Sequence, residues 1–194
     1  MNETIKNLAK AFIGESQARN RYTFYAKVAK NEGYEQISEI FLETAEQERE
    51  HAKWLLRLIN QLKTDLKEDT TEFTVDGVVP TTLGNTIENL DAAMAGEHYE
   101  YETMYPEFAK VAEKEGYTKI ASRLRAIAIA EKHHKTRYNK LITEIENKTV
   151  FKKDKKVFWV CRKCGYLHEG KTPPEKCPAC DHPSSYYQKM CEEY

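Results

Sequence analysis

Across residues 1 to about 147 the apolar positions recur every three or four residues, the period of helices that each bury one face. Gly33 and Gly116 interrupt this pattern, and a tyrosine follows each of them (Tyr34 and Tyr117). Glycine at such a break suits a helix C-terminus and a tight turn into the next helix. Between the two breaks, residues 64–83 (TDLKEDTTEFTVDGVVPTTL) lose the period and gain β-branched residues, Gly77 and Pro80, which predicts a long connection. Residues 148–157 (KTVFKKDKKV) are basic and non-periodic, and read as a linker with Lys152, Lys153, Lys155 and Lys156 in solvent. A short segment, 158–194, follows.

An internal repeat defines the architecture of the helical part. Residues 26–37 (AKVAKNEGYEQI) align with residues 109–120 (AKVAEKEGYTKI) at an offset of 83, with eight of twelve positions identical. The same offset carries Glu48 onto Glu131 and His51 onto His134. Two related helical hairpins joined by a crossover make the ferritin-like form of the four-helix bundle. A repeat of this length, present only twice, does not suit a solenoid.

Acids lie in the middle of the apolar stripes. At 100° per residue, Ile37, Phe41, Ala45, Ala52, Leu55, Ile59 and Leu62 fall within about 60° of Glu48. Ile120, Leu124, Ile127, Ala128, Tyr138, Ile142 and Ile145 surround Glu131 in the same way. Leu8, Ala11, Phe12, Tyr22 and Ala26 surround Glu15; Leu90, Ala93, Met94 and Phe108 surround Glu97, with Glu100 one turn further on. Buried carboxylates without counter-charge are costly to desolvate and repel one another, so cations must be supplied. One Glu from each of two helices (Glu15, Glu97) plus Glu-x-x-His from each of the other two (Glu48/His51, Glu131/His134) is the ligand set of carboxylate di-iron and di-manganese bundles. The i, i+3 spacing places carboxylate and imidazole side by side, and oxygen ligands with imidazole suit iron or manganese.

A single Glu beside a stripe is ordinarily a boundary residue that reaches solvent, and one E-x-x-H on a Glu-rich helix is common by chance. Here two occur in register with a repeat, with centred acids on both remaining helices. His133 and His98 point away from the acid faces, and Glu39, Glu43, Glu46 and Glu50 read as solvated surface. Tyr22 and Tyr105 lie two turns after Glu15 and Glu97. Their phenols are placed either to hydrogen-bond ligand carboxylates or simply to fill the core. Eleven residues separate Glu15 from Ala26, but twelve separate Glu97 from Ala109. The extra residue predicts a π-bulge near 97–108 that would let both Glu97 and Glu100 face the metals.

Four of the five cysteines, all within the last 34 residues, form C-x2-C-x12-C-x2-C: Cys161, Cys164, Cys177 and Cys180. This is metal-ligand spacing, with Gly165 and Pro178 suiting tight knuckles. Spacing alone leaves iron and zinc both open. Cys191 stands outside the pattern as a free thiol. Lys and Arg total 30 against 31 Asp and Glu, which argues against a polybasic nucleic-acid binder or a membrane-surface protein. No apolar run is long enough for a membrane span and no signal-peptide core is visible, so the chain reads as cytoplasmic.

Taken together, E…E-x-x-H…E-x-x-E…E-x-x-H followed by C-R-K-C-G-Y-x-H-E-G…C-P-A-C resembles the rubrerythrin family along essentially the whole chain. The resemblance implies a mainly α, ferritin-like bundle (1–147, crossover about 64–83), a linker (148–157) and a small rubredoxin-like metal-binding β domain (158–194). It implies a non-haem iron peroxidase that reduces hydrogen peroxide to water and protects against oxidative stress. Glu15, Glu48, Glu97, Glu100, Glu131 and His134 would hold two Fe, with Glu100 and His51 exchanging on reduction, and the four cysteines a single Fe. Electrons would come from an external donor, a rubredoxin or an NAD(P)H-dependent reductase; no Rossmann glycine motif is present, so nicotinamide is not expected to bind the chain itself.

Glu131 lies roughly 25 Å from the end of the last helix at 1.5 Å per residue. With the cysteine module beyond that end, the expectation is a head-to-tail homodimer in which one chain's module serves the other's bundle. Two rival functions remain: a ferroxidase or iron-handling protein, against which the cysteine module argues, and a non-enzymatic module whose cysteines hold zinc.

Overall fold

A computed structural model describes residues 2–192. The 1–147 and 158–194 segments therefore each end on positions (1, 193 and 194) that lie outside the described residues. Helix α1 spans Glu3–Asn31 and α2 spans Glu35–Leu66; α3 spans Thr86–Tyr99, α4 Tyr105–Lys114 and α5 Thr118–Glu146. α1 packs along α2, and α3 and α4 pack along α5, so the chain forms the two hairpins of a four-helix bundle.

Both hairpin turns are built alike. Gly33 (φ 83°) and Gly116 (φ 89°) take the left-handed conformation. The amide of Tyr34 then reaches the Ala29 carbonyl, and that of Tyr117 the Ala112 carbonyl, each at 2.8 Å, which closes the helix ends in Schellman fashion. The crossover is shifted by a few residues from its sequence-based limits, since α2 continues to Leu66 and α3 begins at Thr86. It is held against the bundle rather than free. Phe73 and Val75 pack on the core, the Tyr25 hydroxyl donates to the Thr82 carbonyl, and Asn89 bonds both the amide and the carbonyl of Gly84. An Asn85/Glu88 capping box then starts α3.

The expected π-bulge is present. Residues Glu100–Met104 form a π-helical segment between α3 and α4, and the Tyr105 amide donates to the carbonyl of Glu100, five residues back. Pro106 follows at once. It has no N–H to give, so the widened turn sits where the regular ladder is already interrupted.

The core is in two layers. Ile5, Leu8, Leu55, Leu62, Tyr105 and Leu124 belong to one apolar cluster, and Tyr22, Tyr25, Phe41, Leu90 and Tyr138 to the other. Between these layers lie the buried acids.

Beyond α5, strands β1 (Val157–Cys161), β2 (Leu167–Gly170) and β3 (Tyr187–Lys189) form an antiparallel sheet in the order β2-β1-β3. Trp159, fully buried, donates its indole N–H to the Gly170 carbonyl at 3.0 Å and forms a small core with Cys161, Cys177 and Tyr187.

The expectation of a solvated linker needs correcting. Lys152, Lys155 and Lys156 are exposed, but Lys153 pairs with Glu144, and the Phe151 ring stacks on Tyr34 at 6.3 Å. The β module does not simply hang from the bundle either. Arg162 reaches Glu39 on α2 and Gln188 on β3, and Ser185 lies against Gly33. Sequence periodicity cannot report the contacts of Phe151, Arg162 and Ser185 with Tyr34, Glu39 and Gly33, because they join segments more than a hundred residues apart.

Candidate metal centre

Glu15, Glu48, Glu97 and Glu131 are all at most 1 % exposed, and Glu100 is also buried. Two groups of ligand atoms form, each with all its members within 4.8 Å of one another: Glu15, Glu48, His51 and Glu131 in one, Glu48, Glu97, Glu131 and His134 in the other. Glu48 and Glu131 belong to both. The two-fold repeat of the sequence thus becomes a pair of adjacent sites joined by two shared carboxylates, each completed by one further Glu and one His.

Each imidazole turns Nδ1 inward. His51 Nδ1 lies 2.9 Å from Glu131, 3.0 Å from Glu48 and 3.8 Å from Glu15. His134 Nδ1 lies 2.8 Å from Glu131, 3.1 Å from Glu48 and 3.2 Å from Glu97. The outward nitrogen of His134, Nε2, meets Gln47 Oε1 at 2.9 Å. Gln47 was not anticipated from the helical pattern, since it falls one step off the acid face.

The tyrosines cross-link the two hairpins. Tyr22 on α1 donates to Glu97 Oε1 on α3, and Tyr105 donates to Glu15 Oε1 on α1. Of the two roles open to these side chains, the hydrogen-bonding one is realised in the geometry. Glu100 is buried but belongs to neither ligand group among the described residues. It lines a cleft of about 640 Å³ together with Gly14, Arg21 and crossover residues Asp76–Val78.

Electrostatics make the need for cations plain. Burial, reinforced by Glu131 and Glu48, pushes the Glu15 carboxyl well above the usual range. Burial and Glu48 push Glu97 up to about 8. Burial and the neighbouring acids push Glu100 well above its usual value. For His134 burial opposes the charge, but the Glu131, Glu48 and Glu97 carboxylates gathered around Nδ1 prevail and raise it to about 12. His51 moves upward by the same balance. Even so, two imidazoles cannot serve every acceptor around them, and Glu15 Oε2, Glu48 Oε1 and both oxygens of Glu131 receive no aligned hydrogen bond. Buried acceptors left so are costly, and a divalent cation in each group would satisfy them. The donor set, oxygen-rich with one imidazole per group, fits iron or manganese.

In the β module Cys161 and Cys180 Sγ are 3.7 Å apart, and Cys164 and Cys177 Sγ are 3.6 Å apart. Tetrahedral thiolates about 2.3 Å from a metal stand about 3.8 Å from one another. The two knuckles are near-copies. The amides of Gly165 and Asp181 return to the carbonyls of Cys161 and Cys177, and both residues have positive φ (78° and 59°). Cys191 is exposed and outside the cluster.

The family model described as Rubrerythrin matches residues 6–142, and that of the rubrerythrin rubredoxin-like domain matches residues 159–188. The chain belongs to the rubrerythrin family. A relative from Methanocaldococcus jannaschii is 65 % identical, covering 100 % of this chain and 96 % of its own length. Rubrerythrin-1 of Clostridium acetobutylicum is 53 % identical over 99 % of this chain and 96 % of its own. Among solved structures, fully reduced, all-ferrous nigerythrin superposes with a TM-score of 0.62 at 32 % identity, covering 96 % of this chain and 86 % of that one.

As in rubrerythrins, a ferritin-like bundle with a di-iron carboxylate site is followed by a rubredoxin-like four-cysteine site. The metal-binding, mainly α fold expected from the sequence is thus the one found. Among the described residues no helix is long and apolar enough to cross a membrane.

Proposed function

We propose that this rubrerythrin reduces hydrogen peroxide to water, with electrons entering through the four-cysteine centre. The observation that carries the proposal is the coexistence in one chain of two adjoining buried ligand groups that share Glu48 and Glu131 and a separate cluster of four thiols. An electron-delivery centre has a purpose beside a site that must be re-reduced after each turnover, and none beside an iron store.

In this reading Glu48 and Glu131 would serve both metal positions, with Glu15 and His51 completing one and Glu97 and His134 the other. Cys161, Cys164, Cys177 and Cys180 hold the single iron. When bound, the iron pair supplies the two electrons that cleavage of the O–O bond takes up. The chain's part is to fix the ligands and to handle protons, of which the reaction consumes two. Tyr22 and Tyr105 hold the Glu97 and Glu15 carboxylates in place. Glu100 is buried yet lines the cleft where a small oxidant would enter, and burial and the neighbouring acids shift its carboxyl upward, which favours its holding a proton there. By the family resemblance it would also exchange with His51 as a ligand.

The external donor is a rubredoxin or an NAD(P)H-dependent reductase. A head-to-tail homodimer in the cytoplasm, with one chain's cysteine module beside its partner's bundle, completes the electron route. Donor-driven consumption of hydrogen peroxide, measured against oxidation of added Fe(II), tests the proposal. Rapid donor oxidation matched to peroxide loss is the expected result; Fe(II) oxidation without donor-coupled turnover would instead identify a ferroxidase. A cysteine site that takes up only zinc would leave the bundle without its electron supply.

A further inference from the structure

The repeat that carries Glu48 onto Glu131 and His51 onto His134 does not carry over a neighbouring side chain that touches one of the two histidines. Gln47 stands one position before Glu48, and the offset of 83 carries it onto Ala130, one position before Glu131. Gln47 Oε1 accepts from Nε2 of His134 at 2.9 Å, on the far side of the ring from the three carboxylates that surround Nδ1. An amide oxygen can only accept, so Nε2 carries a proton here, and the proton at Nδ1 is the one a metal would displace, leaving that lone pair directed inward. The amide is itself held, since Gln47 Nε2 donates to Glu43 Oε1, which also receives Arg137.

His51 has nothing comparable. Among the described residues its hydrogen-bonding contact runs through Nδ1 to Glu48, and its side chain is 16 % exposed against 3 % for His134. A methyl group at position 130 accepts no hydrogen bond.

We propose that Gln47 is a positioning residue that locks His134 and makes the His134 metal position the tighter of the two, while Ala130 leaves the His51 position unlocked. The inference rests on the assignment of the two ligand groups as metal sites. Hydrogen bonds to the remote nitrogen of a ligating imidazole fix its orientation and raise its basicity, and their loss costs about 10–100-fold in metal affinity.

The test is stepwise titration of the metal-free full-length protein with Co(II) against a competing chelator. Cobalt bound by oxygen and nitrogen gives weak visible bands, distinct from the intense charge-transfer bands of cobalt on four thiolates. The wild type is expected to show two unequal oxygen/nitrogen sites. Gln47→Ala should weaken the tighter one about 10–100-fold and bring the two together, Gln47→Glu, which keeps an acceptor, should restore the difference, and Ala130→Gln should tighten the weaker site. Helix content by circular dichroism is expected to be the same in all four proteins. Unequal affinities that persist unchanged in Gln47→Ala, with Ala130→Gln also without effect, would overturn the inference and leave the metal-site assignment standing. A wild type that binds no cobalt through oxygen and nitrogen would overturn both.

Discussion

The hydroxyl of Tyr105 donates to Glu15 Oε1 across ninety residues of sequence, inside a layer where neither side chain has any access to water. Tyr22 returns the same contact from α1 to Glu97 on α3. The two phenols therefore clamp the terminal carboxylates of both ligand groups from opposite hairpins. Tyr105→Phe should leave a buried acceptor unpaired, lowering the unfolding free energy of the metal-free protein by about 1–3 kcal/mol. It should also weaken metal binding about 10–100-fold through loss of ligand orientation. Chemical denaturation and metal competition read the two effects separately, and an unchanged metal affinity would show that the tyrosine merely fills space.

In the metal-free protein the pH dependence follows from the raised carboxyls. Glu97 is pushed up to about 8 by burial and Glu48, while an unfolded Glu titrates near its model value of 4.5. Between those values the folded chain holds a proton that the unfolded chain has released, so stability is greatest at the acid end of the window and falls as pH rises toward 8. His134, raised to about 12, adds the same slope above its unfolded value of 6.5. Glu48, lowered to about 2 by its histidines against the cost of burial, acts with opposite sign but only below 4.5. Thermal midpoints of the metal-free protein should therefore drop from pH 5 to pH 8, and those of the metal-loaded protein should drop less, because the metals displace these protons. A metal-free midpoint that rises over this range would contradict the buried cluster.

The acid-in-stripe pattern and the repeat made the bundle and its ligands legible, because both depend only on residues a fixed number of helical steps apart. Even the π-segment was visible, as the difference between eleven and twelve residues from acid to repeat. What remained hidden were contacts that only tertiary structure creates. Gln47 sits off the acid face of its own helix and acquires its role from His134, 87 residues away. The offset of 83 does place Gln47 opposite Ala130, but most positions around the matched Glu48/Glu131 and His51/His134 pairs also differ, so the mismatch alone did not single it out. Phe151 and Lys153, in a stretch whose composition reads as solvated, find partners in Tyr34 and Glu144.

The cysteine module offers a separable test. Cys161→Ser should abolish the four-thiolate absorption and donor-coupled peroxide turnover while leaving helix content and the bundle's metals in place. Cys161 and Trp159 share the module's small core, so that core should loosen as well. Cys191→Ser, outside the cluster, should change neither. If turnover with donor survived Cys161→Ser, electrons would be entering the bundle by another route.

Arg162 and Glu39 tie the module to α2, together with the Tyr34–Phe151 stack. Glu39 is largely exposed, so the ion pair alone is worth no more than about 1 kcal/mol. Arg162→Ala should therefore leave global stability nearly unchanged but loosen the docked module, seen as faster proteolysis within residues 148–156. The double change Arg162→Ala with Phe151→Ala should accelerate cleavage further. Equal cleavage rates in all three proteins would mean that other contacts hold the module.

The π-segment invites the sharpest structural test. Its single extra residue rotates everything after Met104 by about 100° relative to a regular helix, and both sides of it carry parts of the centre: Glu97 and Glu100 before and within it, Tyr105 after it. Glu102, exposed and unpaired among the described residues, can be deleted without removing a core side chain. The shortened helix would match the spacing of α1, so helix content should survive. The remaining residues cannot then serve both layers, however. If the acids keep their place, Tyr105 leaves Glu15; if Tyr105 keeps its place in the core, Glu97 turns away from His134. Either way the number of metals bound in the bundle should fall below two while circular dichroism stays unchanged. A deletion protein that still bound two metals with wild-type affinity would show that the bulge is incidental to the centre.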